Sequence, residues 1–163
     1  MCVVEILNHR NDGTPFWNRL SITPVRNAAG EVTLVYGTLE PSSGTFRYVT
    51  AGHPSPVLLP AGGDPVAVPG AGLPIGMIDG AAYDEETLVL QPGDRMYLYT
   101  DGAIEALDGN EEEFGIDRLV SEFTRWRDLP LQQGLQHAVT AVRGWCEGRL
   151  RDDIPLLAVE RLA

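Results

Sequence analysis

The sequence predicts an α+β fold built mainly on antiparallel sheet, with two helices near the C-terminus. The chain contains 18 glycines and 12 prolines among 163 residues, and this content favours turns and short strands. Several segments alternate apolar and polar residues with a period of two, as half-buried strands do. Two stretches in the last third carry apolar residues at helical spacing instead.

The first third of the chain is predicted to form an antiparallel meander. Turns rich in Asn, Gly and Ser separate its segments, at 11–13, 27–30 and 41–44. Between these turns the residues are apolar, β-branched or aromatic, which is typical of strands. The expected strands are 2–7, 16–25, 32–36 and a fourth that carries Phe46, Tyr48 and Thr50 on one face.

The remaining elements are shorter strands followed by the helices. Residues 54–80 are rich in Pro and Gly and predict a hairpin and a loop, with strands at 57–59 and 66–68. Further strands are expected at 87–90 and 95–99, on either side of a turn at 91–94, and at 154–159. The helices are predicted around 116–123 and 131–146. Each has a single apolar stripe, so we expect both to lie on a sheet.

Composition excludes several classes of protein. The formal net charge is −11 and no basic stripe is visible, so a nucleic-acid partner is not expected. No apolar run reaches the length of a membrane helix, so no membrane association is expected. Cys2 and Cys146 are the two cysteines and do not form a disulfide framework for a domain of this size, which predicts a cytoplasmic location.

Two groups of carboxylates stand at the ends of predicted strands. Asp101 follows strand 95–99 and precedes Gly102, whereas Asp152 and Asp153 precede the last strand. Carboxylates held on rigid strand ends can bind hard cations such as Mg²⁺ or Mn²⁺. Spacing alone leaves two alternatives open: an Asp-Gly turn at 101–102 and a solvated acidic pair at 152–153.

Six short motifs occur in one order along the C-terminal part of the chain. They are Ala51-Gly52-His53-Pro54, Leu73-Pro74-Ile75-Gly76, Leu90-Gln91-Pro92-Gly93-Asp94-Arg95, Tyr99-Thr100-Asp101-Gly102 with Glu105-Ala106, Phe114-Gly115 and Asp152-Asp153-Ile154. This series resembles the metal-dependent PPM-type protein phosphatases, and in particular the SpoIIE-like bacterial branch of that family. The resemblance covers residues 32–163, which we interpret as the C-terminal portion of such a domain.

The resemblance implies a partial α-β-β-α sandwich that hydrolyses phosphoserine or phosphothreonine on a regulatory partner protein, of the kind that antagonises an anti-sigma factor. It also implies two Mg²⁺ or Mn²⁺ ions, with Asp101 and Asp152 as metal ligands and no catalytic residue beyond a metal-activated water. Gly102 and Asp153 would support the site. His53 would have a structural role or lie at the edge of the site.

The sequence departs from the family pattern in its N-terminal part. In this family, carboxylates of a Gly-Gly-Asp motif and an Asp-x-x-Gly-His-Gly motif complete the coordination of the two metal ions. Neither motif has a match in the corresponding position of this sequence. Gly62-Gly63-Asp64 follows the Ala-Gly-His-Pro motif and is interpreted as a turn, and Pro155 stands where the family often has Thr. An incomplete metal site leaves a second hypothesis open, a non-catalytic interaction module that forms a homodimer.

Residues 1–31 resemble a different family. The segment from Glu5 to Asn18, continued by Ile22 to Thr33, is similar to the C-terminal strands of light-oxygen-voltage (LOV) PAS domains. The resemblance implies that Asn8 and Asn18 match the asparagines that contact a flavin in that family. The segment with the flavin-reactive cysteine is absent, so flavin binding is not expected. A PAS sensor fragment is therefore a third hypothesis.

Overall fold

The computed structural model describes residues 2–9, 15–22, 25–26, 32–40, 42–70 and 72–162, with side chains at 35, 37–40, 42–70 and 72–162. These ranges contain ten strands and three helices. In chain order they are β1 (Cys2–His9), β2 (Pro15–Ile22), β3 (Val25–Arg26), β4 (Val32–Glu40), β5 (Thr45–Ala51), β6 (Val57–Leu59), β7 (Val66–Ala67), β8 (Glu86–Val89), β9 (Arg95–Tyr99), α1 (Asp101–Ile104), α2 (Gly115–Arg125), α3 (Leu131–Trp145) and β10 (Leu156–Glu160).

The strands form three antiparallel sheets. Sheet 1 has the order β10-β9-β6-β7, and sheet 2 has the order β3-β4-β5-β8. β1 and β2 pair with each other in a separate two-stranded sheet. The sequence-based prediction of a mainly antiparallel α+β fold is thus confirmed.

Helices α2 and α3 cover one face of sheet 1. The apolar stripe of α2 buries Leu119 and Phe123, and α3 buries Ala138 and Val142 on the same side. Phe123 stacks on Tyr97 of β9 with ring centroids 4.0 Å apart and planes 8° from parallel. Burial of a large apolar side chain stabilises the fold by about 1.5–3 kcal/mol, so this layer fixes β9 firmly in place.

The opposite face of sheet 1 packs against sheet 2. Met96 of β9 is fully buried between the sheets together with Phe46 and Tyr48 of β5 and Leu90. The Phe46 and Tyr48 rings stack with centroids 5.2 Å apart. The described part of the chain therefore has three layers, which are the helices, sheet 1 and sheet 2.

The structure corrects the extent of the predicted meander, whereas the hairpin predicted within 54–80 is confirmed by the pairing of β6 with β7. β2 does not pair with β3 or β4, so the meander runs only through β3, β4 and β5. The predicted strand 16–25 is divided between β2 and β3. β8 and β9 lie on either side of the turn but belong to different sheets. The predicted turn residues 11–13, 27–30 and 41 lie outside the described residues.

The turn between β8 and β9 carries the chain from sheet 2 to sheet 1. Asp94 is 5% exposed and its carboxylate accepts hydrogen bonds from the backbone N–H groups of Gln91, at 2.8 Å, and Ala61, at 3.0 Å. Leu90 N–H donates to Gly44 at the end of sheet 2. These contacts hold the turn between two sheets, whereas local sequence predicts only that a turn exists.

Two further features of the described residues are the character of the helices and the state of Cys146. None of the helices in the described ranges combines the length and apolar character needed to cross a bilayer. Cys146 at the end of α3 is a free, buried cysteine.

Candidate functional site

Asp101 and the pair Asp152-Asp153 meet at one end of sheet 1. β9 and β10 are antiparallel, and Tyr99, the last residue of β9, pairs with Leu156, the first residue of β10. The residues that follow β9 therefore run beside those that precede β10. Asp101 begins the short helix α1 and is half-buried, while Asp152 and Asp153 are exposed in the connection to β10.

Gly102 is the point of closest approach between these two segments. It is buried, and a Cβ added there would lie 3.3 Å from the Asp152 Cβ and inside van der Waals contact of the Asp153 carbonyl oxygen. The Thr100 hydroxyl lies 3.5 Å from that same oxygen. Only glycine lets the two acidic segments lie so close.

Backbone hydrogen bonds orient both carboxylates. Asp101 Oδ1 accepts from the Gly102 N–H at 3.1 Å, and Asp152 Oδ1 accepts from the Asp153 N–H at 2.7 Å. Within the described part of the chain, the second oxygen of each carboxylate has no hydrogen-bond partner. Each aspartate thus keeps one oxygen available to a ligand.

Helix α1 replaces the sharp turn that the sequence predicts after Asp101. Ala103 N–H bonds to the Thr100 carbonyl and Glu105 N–H to the Asp101 carbonyl, which makes one helical turn. This turn brings Glu105 close to the site, since residues four apart share a helix face. Glu105 was not predicted as a site residue, although its spacing from Asp101 was a usable signal.

Glu105 lies in a region of concentrated negative charge. Burial of part of the carboxyl raises the pKa of Glu105 above its ordinary value, and three neighbouring negative charges raise it further. These charges belong to Asp101, Glu113 and Asp152. A bound cation would relieve this repulsion, so the electrostatics favour a positively charged ligand.

His53 belongs to the segment that connects β5 to β6. It follows β5 in the Ala-Gly-His-Pro motif, is half-buried, and is close enough to Asp101 to be influenced by its charge. Burial lowers the pKa of the His53 imidazole, against the smaller opposing effects of the Pro54 carbonyl and Asp101. His53 Nδ1 lies 2.8 Å from the Pro54 carbonyl oxygen. Because a carbonyl only accepts, Nδ1 is the donor, and the neutral ring presents Nε2 as an acceptor.

The donor set suits a hard divalent cation. Mg²⁺ and Mn²⁺ prefer carboxylate oxygens and commonly complete their coordination with water. Among the residues that the structure describes, no group of three or more His, Cys, Asp or Glu side chains is arranged to hold a metal ion. Asp101 and Asp152 therefore fit as a partial set, with water or further ligands needed to complete it.

The two predicted flavin-contact residues lie in the separate hairpin. Asn8 in β1 pairs with Phe16, and Asn18 in β2 pairs with Ile6. The side chains of this hairpin lie outside the described part of the structure, so their contact with a flavin stays a prediction.

The chain matches known proteins along most of its length. The profile of the family described as Stage II sporulation protein E (SpoIIE) matches residues 7–162, beginning inside the segment predicted as a LOV-like remnant. Protein IcfG of Synechocystis sp. is 28% identical over 130 residues, which are 79% of this chain and 20% of IcfG. A shorter match, 48% identical over 33 residues, is to Phototropin-2 of Oryza sativa subsp. japonica, covering 20% of this chain and 4% of that protein.

Solved structures share the fold. The structure of the RsbU and RsbW domains of Rv1364c from Mycobacterium tuberculosis gives a TM-score of 0.71 at 28% identity, over 82% of this chain and 37% of that one. The SpoIIE phosphatase domain from Bacillus subtilis, presoaked with Mn, gives a TM-score of 0.64 at 15% identity, over 80% of this chain and 56% of that one. The chain thus spans about a fifth of IcfG and about half or less of these structures.

Proposed function

The chain belongs to the Stage II sporulation protein E family, and we propose that it is the C-terminal part of a PPM-type phosphatase domain that hydrolyses phosphoserine or phosphothreonine on a regulatory partner protein. The observation that carries the proposal is the close approach of Gly102, the residue after Asp101, to Asp152 and Asp153. Asp101 and Asp152 occupy the ligand positions that the family motifs imply.

Asp101 and Asp152 would hold Mg²⁺ or Mn²⁺ through their free carboxylate oxygens. When bound, such an ion activates a water molecule and neutralises charge on the phosphate. The backbone N–H bonds to Oδ1 fix the direction of each carboxylate, and Gly102 keeps the two segments in contact. The solved SpoIIE phosphatase domain presoaked with Mn supports this choice of ion.

Asp153 and His53 would support the site without touching the reacting atoms. The Asp153 N–H orients Asp152, and its carbonyl oxygen packs against Gly102. His53, neutral because burial lowers its pKa, adds no positive charge that would compete with the cation. These contacts support the roles proposed for Asp153 and His53.

The partner would be a phosphorylated regulatory protein. The RsbU and RsbW domains occur together in the similar Mycobacterium tuberculosis structure, and this pairing supports a partner of the anti-sigma antagonist kind. A location in the cytoplasm agrees with the free thiol of Cys146.

A dinuclear centre needs ligands beyond Asp101 and Asp152. Two metal ions would be held only with further ligands, such as those of the Gly-Gly-Asp and Asp-x-x-Gly-His-Gly motifs, which have no match in position among residues 1–163. The absence of a three-residue metal cluster among the described residues favours the second candidate function, a non-catalytic interaction module. The Phototropin-2 match supports a LOV-like origin for residues 1–31, but a fragment of this length would not enclose a flavin.

Hydrolysis of an aryl phosphate in the presence of Mn²⁺ tests the proposal. We expect turnover that chelation abolishes and that the D101N variant loses, while D79N, at an exposed aspartate of the β7–β8 loop, keeps it. Calorimetry on the same samples gives the number of Mn²⁺ ions bound. Turnover no greater than in buffer, with no Mn²⁺ bound, would contradict the enzyme and leave the interaction module.

A further inference from the structure

The loop between β7 and β8 exposes a group of large apolar side chains that we call the apolar lip. Its four members lie within a few residues of one another, and about half of each side chain is open to solvent. They are Leu73 (46% exposed), Ile75 (45%), Met77 (56%) and Ile78 (56%). Grouped exposure of this kind marks interaction sites, whereas single exposed apolar residues are ordinary.

The apolar lip lies next to the acidic site. Gly52 N–H donates to the Gly72 carbonyl at 2.6 Å, and a Cβ added to Gly52 would lie 2.7 Å from Pro74 Cγ. The base of the loop is therefore fixed against the motif that contains His53, whose pKa is affected by the charge of Asp101. When a phosphorylated residue of the partner protein binds beside Asp101, the partner residues next to it would come within reach of the lip.

The charged residues of the loop itself all have one sign. The same loop carries three exposed acidic residues, Asp79, Asp84 and Glu85, and exposed Glu86 follows as the first residue of β8. No Lys or Arg occurs in the sequence from residue 48 to residue 94. Asp101, Asp152 and Glu105 add negative charge at the site itself. A segment that covers the lip must therefore be apolar at its centre and basic at its margin, since a like-charged segment would be repelled.

We propose that the apolar lip docks the segment of a phosphoprotein beside its phosphorylated residue, and that this segment combines apolar residues with Lys or Arg. The inference rests on the proposed function for the location of the phosphorylated residue. Contact with the lip would contribute affinity through apolar burial, and the acidic loop would select a basic partner and speed its association.

Peptide binding without metal tests docking separately from catalysis. The probe is a short fluorescein-labelled peptide with a central serine flanked by leucine and lysine, left unphosphorylated because the metal-free acidic site would repel a phosphate, and the comparison peptide has glutamate in place of each lysine. Anisotropy is read in the presence of a chelator, so an inactive chain still reports on docking. We expect the lysine peptide to bind about ten-fold more tightly than the glutamate peptide, by charge complementarity, and to weaken as salt is added.

Two lip variants and one matched control complete the experiment. M77S/I78S and L73S/I75S each remove two exposed apolar side chains, and we expect each to weaken binding of the lysine peptide about ten-fold. L162S removes an apolar side chain that is 78% exposed beyond the far end of β10, and should bind as the wild type does. Because all these side chains are exposed, the variants should fold.

Three results would overturn the proposal. They are equal binding of the two peptides, wild-type binding by both lip variants, and an equal loss in L162S. A concentration-dependent dimer that both lip variants abolish, without selective peptide binding, would assign the lip to a second copy of the chain instead. If the wild-type chain hydrolyses no aryl phosphate but still binds the lysine peptide selectively, the proposed function is contradicted and the docking proposal stands.

Discussion

Substitution of Gly102 by alanine tests whether the two acidic segments really share one site. The added Cβ would overlap the Asp153 carbonyl oxygen and lie 3.3 Å from the Asp152 Cβ. Backbone cannot rotate aside as a flexible side chain can, so the connection before β10 has to move by roughly an ångström, and overpacking of this kind costs about 1–3 kcal/mol. The substitution regains about 0.5–1 kcal/mol of this cost, because alanine has a higher helix propensity than glycine.

From the middle of these two ranges, the expected net loss for G102A is about 1 kcal/mol of unfolding free energy. In a chain of this size each kcal/mol lowers the melting temperature by about 2–4 °C. Urea unfolding followed by far-UV circular dichroism measures the loss, and Mn²⁺ titration of the same variant should show weaker binding, since the Asp152 segment is displaced.

Gly144 provides the matched control. It lies in α3, and a Cβ added there would meet no heavy atom within 4 Å. G144A should therefore stabilise the chain by about 0.5–1 kcal/mol and leave Mn²⁺ binding unchanged. A G102A variant as stable as the wild type, or as stable as G144A, would refute the close approach at Gly102.

Three further predictions concern the scaffold. D94A removes the acceptor of two partly buried backbone hydrogen bonds and should lower the unfolding free energy by about 1–3 kcal/mol in urea titrations. F123A removes a ring stacked on Tyr97 in the core and should cost about 3–5 kcal/mol in the same assay. The Glu112 N–H, with smaller contributions from Asn110, lowers the pKa of the Asp108 carboxyl. The stabilisation by the ionised Asp108 carboxylate should be complete above the ordinary aspartate pKa and should disappear as the pH falls through the lowered pKa of the folded state. The melting temperature of D108N should therefore fall less steeply than that of the wild type as the pH is lowered.

Controls at exposed positions separate these effects from general damage. D79A and I116A alter exposed side chains and should change the unfolding free energy by less than about 0.5 and 1 kcal/mol respectively. An acid limb for D108N that matches the wild type, or a D94A variant no less stable than D79A, would contradict the hydrogen bonds described.

The helices and most strands could be predicted because their signals are local. Leu119 and Phe123 lie four residues apart and are both buried in α2, as the helical spacing requires. Phe46 and Tyr48 are two apart and are both buried between the sheets. Local periodicity therefore located these elements along the chain and identified their buried faces.

Sheet membership could not be predicted, because it depends on contacts between distant residues. The turn at 91–94 has the composition of a hairpin turn, yet Leu90 bonds to Gly44 and Asp94 reaches Ala61. These bonds hold the turn between two sheets and place β8 and β9 in different ones. Helix α1 was missed for another reason: a single turn of four residues is too short to show a periodicity.

The candidate site could be predicted only in part. The order of motifs pointed to Asp101 and Asp152, residues whose separation in sequence gives no sign that they meet. Glu113 was overlooked because its effect is electrostatic and appears only once the fold brings it near Glu105. The motif that contains Leu73 and Ile75 was recognised, but the sequence could not show that these side chains are exposed beside the site.

The central claim is that Asp101 and Asp152 hold one divalent cation between them. A double-mutant cycle on Mn²⁺ affinity, measured by electron paramagnetic resonance for the wild type, D101N, D152N and the double variant, tests it directly. We predict that each single variant loses about ten-fold or more in affinity and that the double variant loses far less than the product of the two, because either change alone breaks the shared site. Wild-type affinity in either single variant, or losses that multiply independently, would contradict the claim.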